Sequence, residues 1–178
     1  MLLVISGLPG TGKSAAAAAI AAEMQAVHLS IDQVEDAMLG AGLPHDWTTG
    51  VAAYEAVRAA AEQNLELGHS VVVDAVNDSA EARGTWVNAA AATGADLLFV
   101  VLTPPPPGEH QRRLSARQRR LAHLPEPTWE QVQARAGAYE GWSVDHVVVD
   151  SNQPPDVVHG EIRTAVAVQA ATRSSEEN

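Results

Sequence analysis

Cysteine is absent from this 178-residue sequence, which excludes a disulfide framework and any metal site built on thiolates. No apolar run reaches the ~18–20 residues that a helix needs to span a bilayer. The segment from Met1 to Ile5 contains neither the basic stretch nor the cleavage site of a signal peptide, so we expect none. Together these absences favour a cytoplasmic protein that does not associate with membranes.

Basic residues are scarce, with 11 Lys and Arg against 22 Asp and Glu, for a net charge of −11. An acidic surface repels phosphate backbones, so nucleic acid is a poor partner. The basic residues are unevenly spread, because six arginines fall between Arg112 and Arg135. This concentration suggests a small local anion, such as a nucleotide. The seven histidines show no ligand spacing near a third ligand, so we expect no zinc site.

One motif near the start of the chain reads G-x-x-x-x-G-K-S, the phosphate-binding P-loop pattern. Its residues are Gly7, Leu8, Pro9, Gly10, Thr11, Gly12, Lys13 and Ser14. An apolar run from Leu2 to Ser6 precedes it, and a helix-forming alanine run that begins at Ala15 follows it. This context favours a phosphate cradle over an ordinary glycine turn. The Rossmann pattern G-x-G-x-x-G is not met.

Each part of the motif has a chemical role in binding a nucleotide phosphate. Glycines allow the backbone to fold around an anion and turn successive N–H groups toward it. The helix that begins at Lys13 or Ser14 adds the positive end of its dipole. Lys13 supplies a charge for the β- and γ-phosphates, and the Ser14 hydroxyl can ligate Mg²⁺.

Apolar and helix-forming segments alternate along the rest of the chain. Strands are predicted over 2–6, 27–31, 70–75, 97–102 and 146–150. Helices are predicted from 13 or 14 to 23 and over 33–39, 51–67, 79–93, 109–121, 128–139 and 155–171. We expect a loop over 45–50 that holds Trp47, an N-cap at Asp78 and an extended segment over 104–107. This alternation predicts an α/β fold with a parallel sheet between helices, formed by one domain over 1–172 with a polar tail over 173–178.

Two aspartates follow predicted strands, at the edge of the sheet where ligands of parallel α/β folds bind. Asp32 is positioned to accept a proton from a substrate hydroxyl, although it can also simply cap the next helix. Asp74 ends an apolar strand and can hold Mg²⁺ through water or bind the acceptor. A buried carboxylate bonded to loop amides is the structural alternative. Asn77, in the same loop, suits either substrate binding or a turn.

Other candidates lie on helices. Arg113 and Arg117 are four residues apart, so a helix would place them on one face, over the nucleotide. Three neighbouring arginines, Arg112, Arg119 and Arg120, point elsewhere by the same count and are expected to be solvated. Tyr54 and Arg58 share a helix face that can line an acceptor pocket. Trp47 lies in a loop on the same side.

In combination, these residues resemble a group of small P-loop kinases with polynucleotide-kinase-like, chloramphenicol-phosphotransferase-like and adenylylsulfate-kinase-like members, often labelled AAA family ATPase. The resemblance covers most of the chain. It rests on Gly7 to Ser14, Asp32, Tyr54, Leu65 to Asn77, Arg83, and Arg113 to Arg117.

The resemblance implies a five-stranded parallel sheet in the order 2-3-1-4-5, a mobile lid over about 105–142, and the use of ATP and Mg²⁺. It implies that Arg113 lies against adenine, Arg117 against phosphate, Arg83 on the acceptor side, and residues 150–154 beside the adenine. One departure concerns Ser30, where some relatives carry a second acidic residue. Metal coordination would then rely on Ser14, Asp74 and water.

The sequence therefore predicts an ATP-dependent kinase acting on a hydroxyl of a small molecule, which can be a metabolite, sugar, nucleoside or antibiotic. Its catalytic residues are predicted to be Lys13, Asp32 and Arg117. A nucleotide-dependent switch or hydrolase is the alternative, although the guanine-reading N-K-x-D motif is absent. A degenerate nucleotide-binding module is a third reading. The acceptor, the pathway and the choice between monomer and homodimer stay open.

Overall fold

The fold is built on a parallel sheet of five strands in the order β2-β3-β1-β4-β5, as predicted. The computed structural model describes residues 1–117, 121–139 and 141–176, with side chains up to residue 172. The strands are β1 (Leu2–Gly7), β2 (Val27–Ser30), β3 (Val71–Ala75), β4 (Leu97–Thr103) and β5 (His146–Asp150). Both neighbours of β1, β3 and β4, pair with it in parallel, so the P-loop leaves the centre of the sheet.

Helices cover both faces of the sheet. They are α1 (Lys13–Met24), α2 (Ile31–Gly40), α3 (Trp47–Glu66), α4 (Ala80–Thr93), α5 (Pro107–Ser115), α6 (Trp129–Ala134) and α7 (Pro155–Glu176), with a 3₁₀ turn at Ala136–Tyr139. In the described part of the chain, no helix combines the length and apolar character that a bilayer crossing requires.

The side chains of β1 alternate between two apolar layers, as the twofold period of a strand dictates. Leu2 and Val4 pack toward α2, α3 and α4 in one layer, whose largest fully buried side chain is Trp86. Leu3 and Ile5 face the opposite layer, which contains α1 and α7. Because the strand is buried on both faces, its sequence is continuously apolar rather than alternating.

Two helix starts differ from the prediction. Residues 45–50 are not a loop, because α3 begins at Trp47 with Asp46 as its N-cap, whose carboxylate accepts a hydrogen bond from the Thr49 amide. The N-cap of α4 is Ser79 rather than Asp78, and its hydroxyl accepts from the Ala82 amide. The second error arises because neighbouring polar residues have similar capping preferences.

The segment after β4 also departs from the prediction. Pro107 is not part of the extended stretch but opens α5, where its fixed φ suits the first helical position. That helix ends at Ser115, before the expected end at Leu121, and Arg119 and Arg120 lie outside the described residues. Thr128 and Gln131 form a capping box at the start of α6, which stops at Ala134, and a 3₁₀ turn at Ala136–Tyr139 occupies the rest of the predicted helix.

The boundaries of α2 and α7 differ less from the prediction. Helix α2 begins at Ile31, so the second strand is shorter than expected and Asp32 lies in the first helical turn. Helix α7 continues to Glu176 instead of ending at about Ala171, so most of the proposed tail has a helical backbone. Residues 177–178 of that tail lie outside the described residues.

A buried polar junction at Asn77 joins the sheet to the α4 layer. The Asn77 side-chain amide donates to the Ser6 hydroxyl at 2.7 Å, and its carbonyl accepts from the Trp86 indole at 2.8 Å. The Asn77 backbone amide donates to the Tyr54 hydroxyl. Its φ of +57° lies in the left-handed region, which asparagine tolerates better than most residues. Asn77 is therefore a structural anchor inside the protein, with both ends of its amide occupied.

We predict that Asn77→Ala lowers the free energy of unfolding by roughly 2–4 kcal/mol, because each buried partner left unbonded costs about 1–3 kcal/mol. The measurement is urea denaturation. Asn88→Ala, on the exposed side of α4, is the matched control and should leave stability within about 0.5 kcal/mol of the parent. Equal stability of the two variants would contradict the anchoring role.

Candidate active site

The P-loop forms a concave turn between β1 and α1. Gly10 and Gly12 have φ values of +92° and +89°, a region that other residues rarely adopt. The Thr11 hydroxyl donates to the Leu8 carbonyl at 2.9 Å and closes the turn from within. Gly12 also serves as the N-cap of α1, so the loop runs directly into the helix N-terminus. Loops of this kind, followed by a helix, bind anions.

A pocket of about 300 Å³ opens over this loop. It is lined by Gly10, Gly12, Lys13, Ser14, Ala15, Arg113 and Arg117. The side chain of Lys13 is only 3% exposed, yet its ammonium group makes no hydrogen bond or ion pair with the described residues. The pocket thus combines one lysine and two arginines around backbone amides, and two of these cations come from a segment about one hundred residues away.

Arg113 connects α5 with the loop after β5. Its guanidinium group donates to Glu109 Oε1 and to the Ser151 carbonyl, each at 2.7 Å. The Arg112 and Arg113 guanidinium groups hold the pKa of the Glu109 carboxyl at about 2, well below its usual range. Glu109 therefore stays ionised at any pH in ordinary use and keeps Arg113 in place. This contact joins Arg113 to the loop over 150–154. The resemblance places both Arg113 and this loop beside the adenine.

Arg117 reaches the pocket from beyond the end of α5. Its side chain is half-buried, and one of its terminal nitrogens lies 3.6 Å from a carboxylate oxygen of Glu126. Because the helix stops at Ser115, the i, i+4 argument for placing Arg113 and Arg117 on one face does not apply. Both side chains nevertheless line the same pocket. By contrast, Arg112 is mostly exposed and bonds Glu109, as expected of a solvated residue.

Asp74 lies near the end of β3 and is only 2% exposed. One carboxylate oxygen accepts a hydrogen bond of 3.3 Å from the Ser30 hydroxyl, its register partner on β2. The other, Oδ1, is buried and has no hydrogen-bond partner in the described part of the chain. Buried carboxylate oxygens are normally bonded, so this one is available for an additional ligand. A hydroxyl and a carboxylate oxygen are ligands that suit Mg²⁺.

A second and larger cavity, about 1240 Å³, is lined mainly by residues of α2, α3, α4 and the loop before α4; we call it the acceptor-side groove. Asp32 lines it from the first turn of α2, one residue beyond Ile31. Tyr54 and Arg58 line it from α3, as the shared helix face predicts, and Trp47 stands at its edge. Burial raises the pKa of the Tyr54 hydroxyl, so this group stays protonated in the neutral range.

Arg83 occupies a different position from the one that the resemblance implies. Its guanidinium group donates to the Asn77 carbonyl at 3.2 Å and lies 4.7 Å from the centre of the Trp142 ring. It does not belong to the lining of the acceptor-side groove. The contact with Trp142 is a cation–π interaction, so Arg83 joins α4 to the segment before β5.

The described residues of the segment 105–142 pack against the P-loop and also contact α2. Leu114 and Val132 form a small apolar cluster with Leu8 of the P-loop. On the other side, one carboxylate oxygen of Asp36 accepts hydrogen bonds of 2.7 Å from the His123 and Leu124 amides. These amides lower the pKa of the Asp36 carboxyl. The described part of the segment therefore contacts both the P-loop and α2.

The family model described as "AAA domain" matches residues 2–139, which is more than half of the chain. The chain belongs to this AAA domain family. The match includes the P-loop, Asp32, Asp74, Arg113 and Arg117. A comparison with curated proteins found no match.

Solved structures with the same fold include kinases, which supports the resemblance stated from the sequence. A sugar kinase from Janibacter sp. HTCC2649 has a TM-score of 0.69 and 18% identity, over 93% of this chain and 94% of its own. A gluconokinase from Sinorhizobium meliloti 1021 has a TM-score of 0.70 and 21% identity, over 99% and 97%. The APS kinase of Mycobacterium tuberculosis, in complex with AMPPNP and APS, has a TM-score of 0.67 and 20% identity, over 93% and 96%. At these identities the likeness establishes the small P-loop kinase fold of this AAA domain protein.

One residue that contacts the P-loop, His110, belongs to no motif of the sequence analysis. His110 of α5 is only 3% exposed, and its Nε2 atom lies 2.7 Å from the Pro9 carbonyl oxygen. Because a carbonyl can only accept, Nε2 must carry the proton. The same ring packs edge-on against Trp129, and a Cβ built at Gly10 would lie 3.0 Å from it. His110 therefore holds the P-loop backbone in place through these contacts. No spacing of residues in the sequence indicates them.

We predict that His110→Ala weakens ATP binding about fivefold or more, because losing a buried hydrogen bond worth ~1 kcal/mol loosens the loop. The measurement is calorimetric titration with ATP and Mg²⁺. His110→Gln keeps a donor and should recover part of the affinity.

The matched control is His69→Ala, which removes an exposed histidine after α3 and should leave ATP affinity unchanged. If His110→Ala lowered the melting temperature but bound ATP as well as the parent protein, the positioning role would be wrong.

Proposed function

We propose that this protein is an ATP-dependent kinase that transfers the γ-phosphoryl group of ATP to a hydroxyl group of a small molecule. The observation that supports this most is the presence of two cavities at the ligand-binding edge of the sheet. One is small, cationic and built on the P-loop, and the other is about four times larger and contains Asp32. A hydrolase or switch uses water as acceptor and has no need of the second cavity.

The P-loop pocket suits the triphosphate. Backbone amides of the P-loop and the Lys13 ammonium group would bind the β- and γ-phosphates, as in other P-loop enzymes. Arg113 would lie beside the base, because it is fixed between Glu109 and the Ser151 carbonyl at the edge of that pocket. Arg117 would approach the phosphates from the other side of the pocket.

The residues present also fit a magnesium ion. Ser14 and Asp74 would hold it, Ser14 through its hydroxyl and Asp74 through the Oδ1 atom described above or through water. When bound, Mg²⁺ neutralises charge on the β- and γ-phosphate oxygens. Ser30 orients the other Asp74 oxygen by its hydrogen bond, which accounts for a hydroxyl at this position in place of a second carboxylate.

Asp32 is the proposed general base. Its carboxylate would accept the proton of the acceptor hydroxyl while the hydroxyl oxygen forms a bond to the γ-phosphorus. The bond from that phosphorus to the β–γ bridging oxygen breaks, and ADP leaves with the electron pair. Arg117 would neutralise charge on the moving phosphoryl group. Loss of such an arginine typically lowers the rate by about 10³-fold or more.

Residues 105–142 are the proposed lid of this enzyme. They carry both pocket arginines and contact Leu8 on one side and Asp36 on the other. Closure of such a segment would exclude water and bring Arg117 to the phosphates. The contact at Asp36 requires its carboxylate, so it is present above the lowered pKa and is lost as the pH falls through that value.

We predict that Asp32→Asn binds ATP like the parent protein but transfers phosphoryl groups at least ~10²-fold more slowly, because general-base catalysis contributes about 10²–10⁴-fold. The measurement is a metabolite and antibiotic panel, scored by mass for phosphorylated product, with ATP affinity determined separately.

Asp145→Asn is the matched control, because it makes the same chemical change at an exposed residue before β5 and should retain full activity. A near-normal rate of phosphoryl transfer by Asp32→Asn would show that Asp32 is not the general base. ATP hydrolysis that no compound of the panel stimulates would favour the hydrolase alternative.

A further inference from the structure

A carboxylate of α2 holds the backbone of residues 123–124. The Asp36 oxygen that accepts from the His123 and Leu124 amides does so at 2.7 Å in both hydrogen bonds. Hydrogen bonds to an ionised acceptor are about twice as strong as those to a neutral one. The partners are 87 and 88 positions apart in the sequence, so this is a tertiary contact. It attaches α2 to the chain that follows Arg117.

Gly40 leaves room for the same contact. A Cβ built at Gly40 would lie 2.8 Å from Cδ2 and 2.9 Å from Nε2 of the His123 ring. Non-bonded heavy atoms pack best at about 3.5–4.0 Å, so any side chain at position 40 would displace this ring. Asp36 and Gly40 are four residues apart and lie on the same side of α2. Together they form one docking position, an acceptor beside a gap that the ring fills.

The docked residues lead to an arginine of the P-loop pocket. Glu126 follows Leu124 by two residues, and its Oε2 atom lies 3.6 Å from Nη1 of Arg117. Arg117 lines the pocket over the P-loop. A displacement of residues 123–124 would therefore move Glu126 and change the surroundings of the Arg117 guanidinium group.

Other parts of the segment 105–142 are attached through buried apolar contacts. Leu114 and Val132 pack with Leu8, and Trp142 belongs to the main core, where the Tyr139 ring stacks on it. The Asp36 contact is polar and lies at the surface. Water can replace the partners of such a hydrogen bond, whereas apolar burial has no such substitute. Among these attachments, the one at Asp36 is thus the easiest to release.

Helix α2 also carries the proposed general base. Asp32 precedes Asp36 by four residues, so the two side chains lie one turn apart on the same helix. Asp32 lines the acceptor-side groove. One rigid element therefore bears both the proposed base and the docking position for the segment next to Arg117.

We infer that Asp36 is a positioning residue, which holds residues 123–124 on α2 and thereby sets where Arg117 lies over the P-loop pocket. Gly40 serves the same purpose by admitting the His123 ring. The inference rests on the proposed function, because it takes Arg117 to contact the nucleotide phosphates. It adds a link between α2, on the acceptor side, and the nucleotide pocket.

The first test is calorimetric titration of the full chain with AMPPNP and Mg²⁺, in the parent protein and in Arg117→Ala. Asp36→Ala should weaken binding about threefold or more in the parent, because Arg117 loses part of its contact with the phosphates. In the Arg117→Ala background it should have no further effect, since residues that act through one another are not additive. Gly40→Leu, which blocks the same contact without altering Asp36, should behave in the same way.

Two further variants separate the hydrogen bonds from charge and from general stability. Asp36→Asn keeps an oxygen acceptor and should recover part of the affinity that Asp36→Ala loses. Asp145→Ala removes a carboxylate from an exposed residue before β5 and should leave the affinity unchanged.

A distance measurement tests the contact without relying on nucleotide binding. Because the chain has no cysteine, Ala122→Cys with Glu161→Cys provides two unique sites for spin labels, both at exposed positions. Double electron–electron resonance should give a narrow distance distribution in this protein. Adding Asp36→Ala should broaden the distribution, and adding Asp145→Ala should not.

Three results would overturn the inference. These are parent-like AMPPNP affinity of Asp36→Ala, an equal loss of affinity with and without Arg117, or an unchanged distance distribution in the Asp36→Ala protein. Failure of the parent protein to bind AMPPNP would instead reject the proposed function, and the distance distribution would still decide whether Asp36 holds residues 123–124.

Discussion

The structure depends on one local constraint, which is the tight turn of the P-loop at the centre of a parallel sheet. Left-handed backbone at Gly10 and Gly12 lets the chain pass from β1 into α1 within a few residues. Every other part of the candidate site is placed relative to this turn. Thr11 closes it from inside, His110 supports it from behind, and the buried stem of Lys13 holds an ammonium group at the pocket.

The sheet order also fixes where the larger groove lies relative to this turn. Strand β3 lies between β1 and β2, so Asp74 lies between the P-loop and the first turn of α2, which contains Asp32. The Asn77 junction then fixes the loop after β3 by bonding Ser6, Trp86 and Tyr54. Because buried polar groups are stabilising only when all are bonded, this junction makes the relative position of the two cavities rigid. Described residues of the segment 105–142 line both cavities, Arg113 and Arg117 the P-loop pocket and Arg135 the larger groove.

Much of the fold and the nucleotide side could be predicted from the sequence, because apolar strands and the P-loop are local patterns. The sheet order came from the resemblance and is confirmed. The choice of Ser79 over Asp78 as N-cap could not be predicted, because adjacent polar residues have similar capping preferences, and no sequence signal marked the end of α5 at Ser115. His110 and Asp36 contact partners about ninety to one hundred residues away, so no spacing indicates them. The expectation for Arg83 differed because a cation–π contact with Trp142 holds it elsewhere.

The most direct test of the central claim is calorimetric titration of the folded protein with ATP in the presence and absence of Mg²⁺. If the P-loop is a triphosphate cradle, the parent protein binds one ATP per chain, and Lys13→Ala weakens that binding at least tenfold, which corresponds to about 1.4 kcal/mol. Circular dichroism would establish that the variant is folded. Absence of binding to ATP and to every other nucleoside triphosphate, with Mg²⁺ present, would contradict the account.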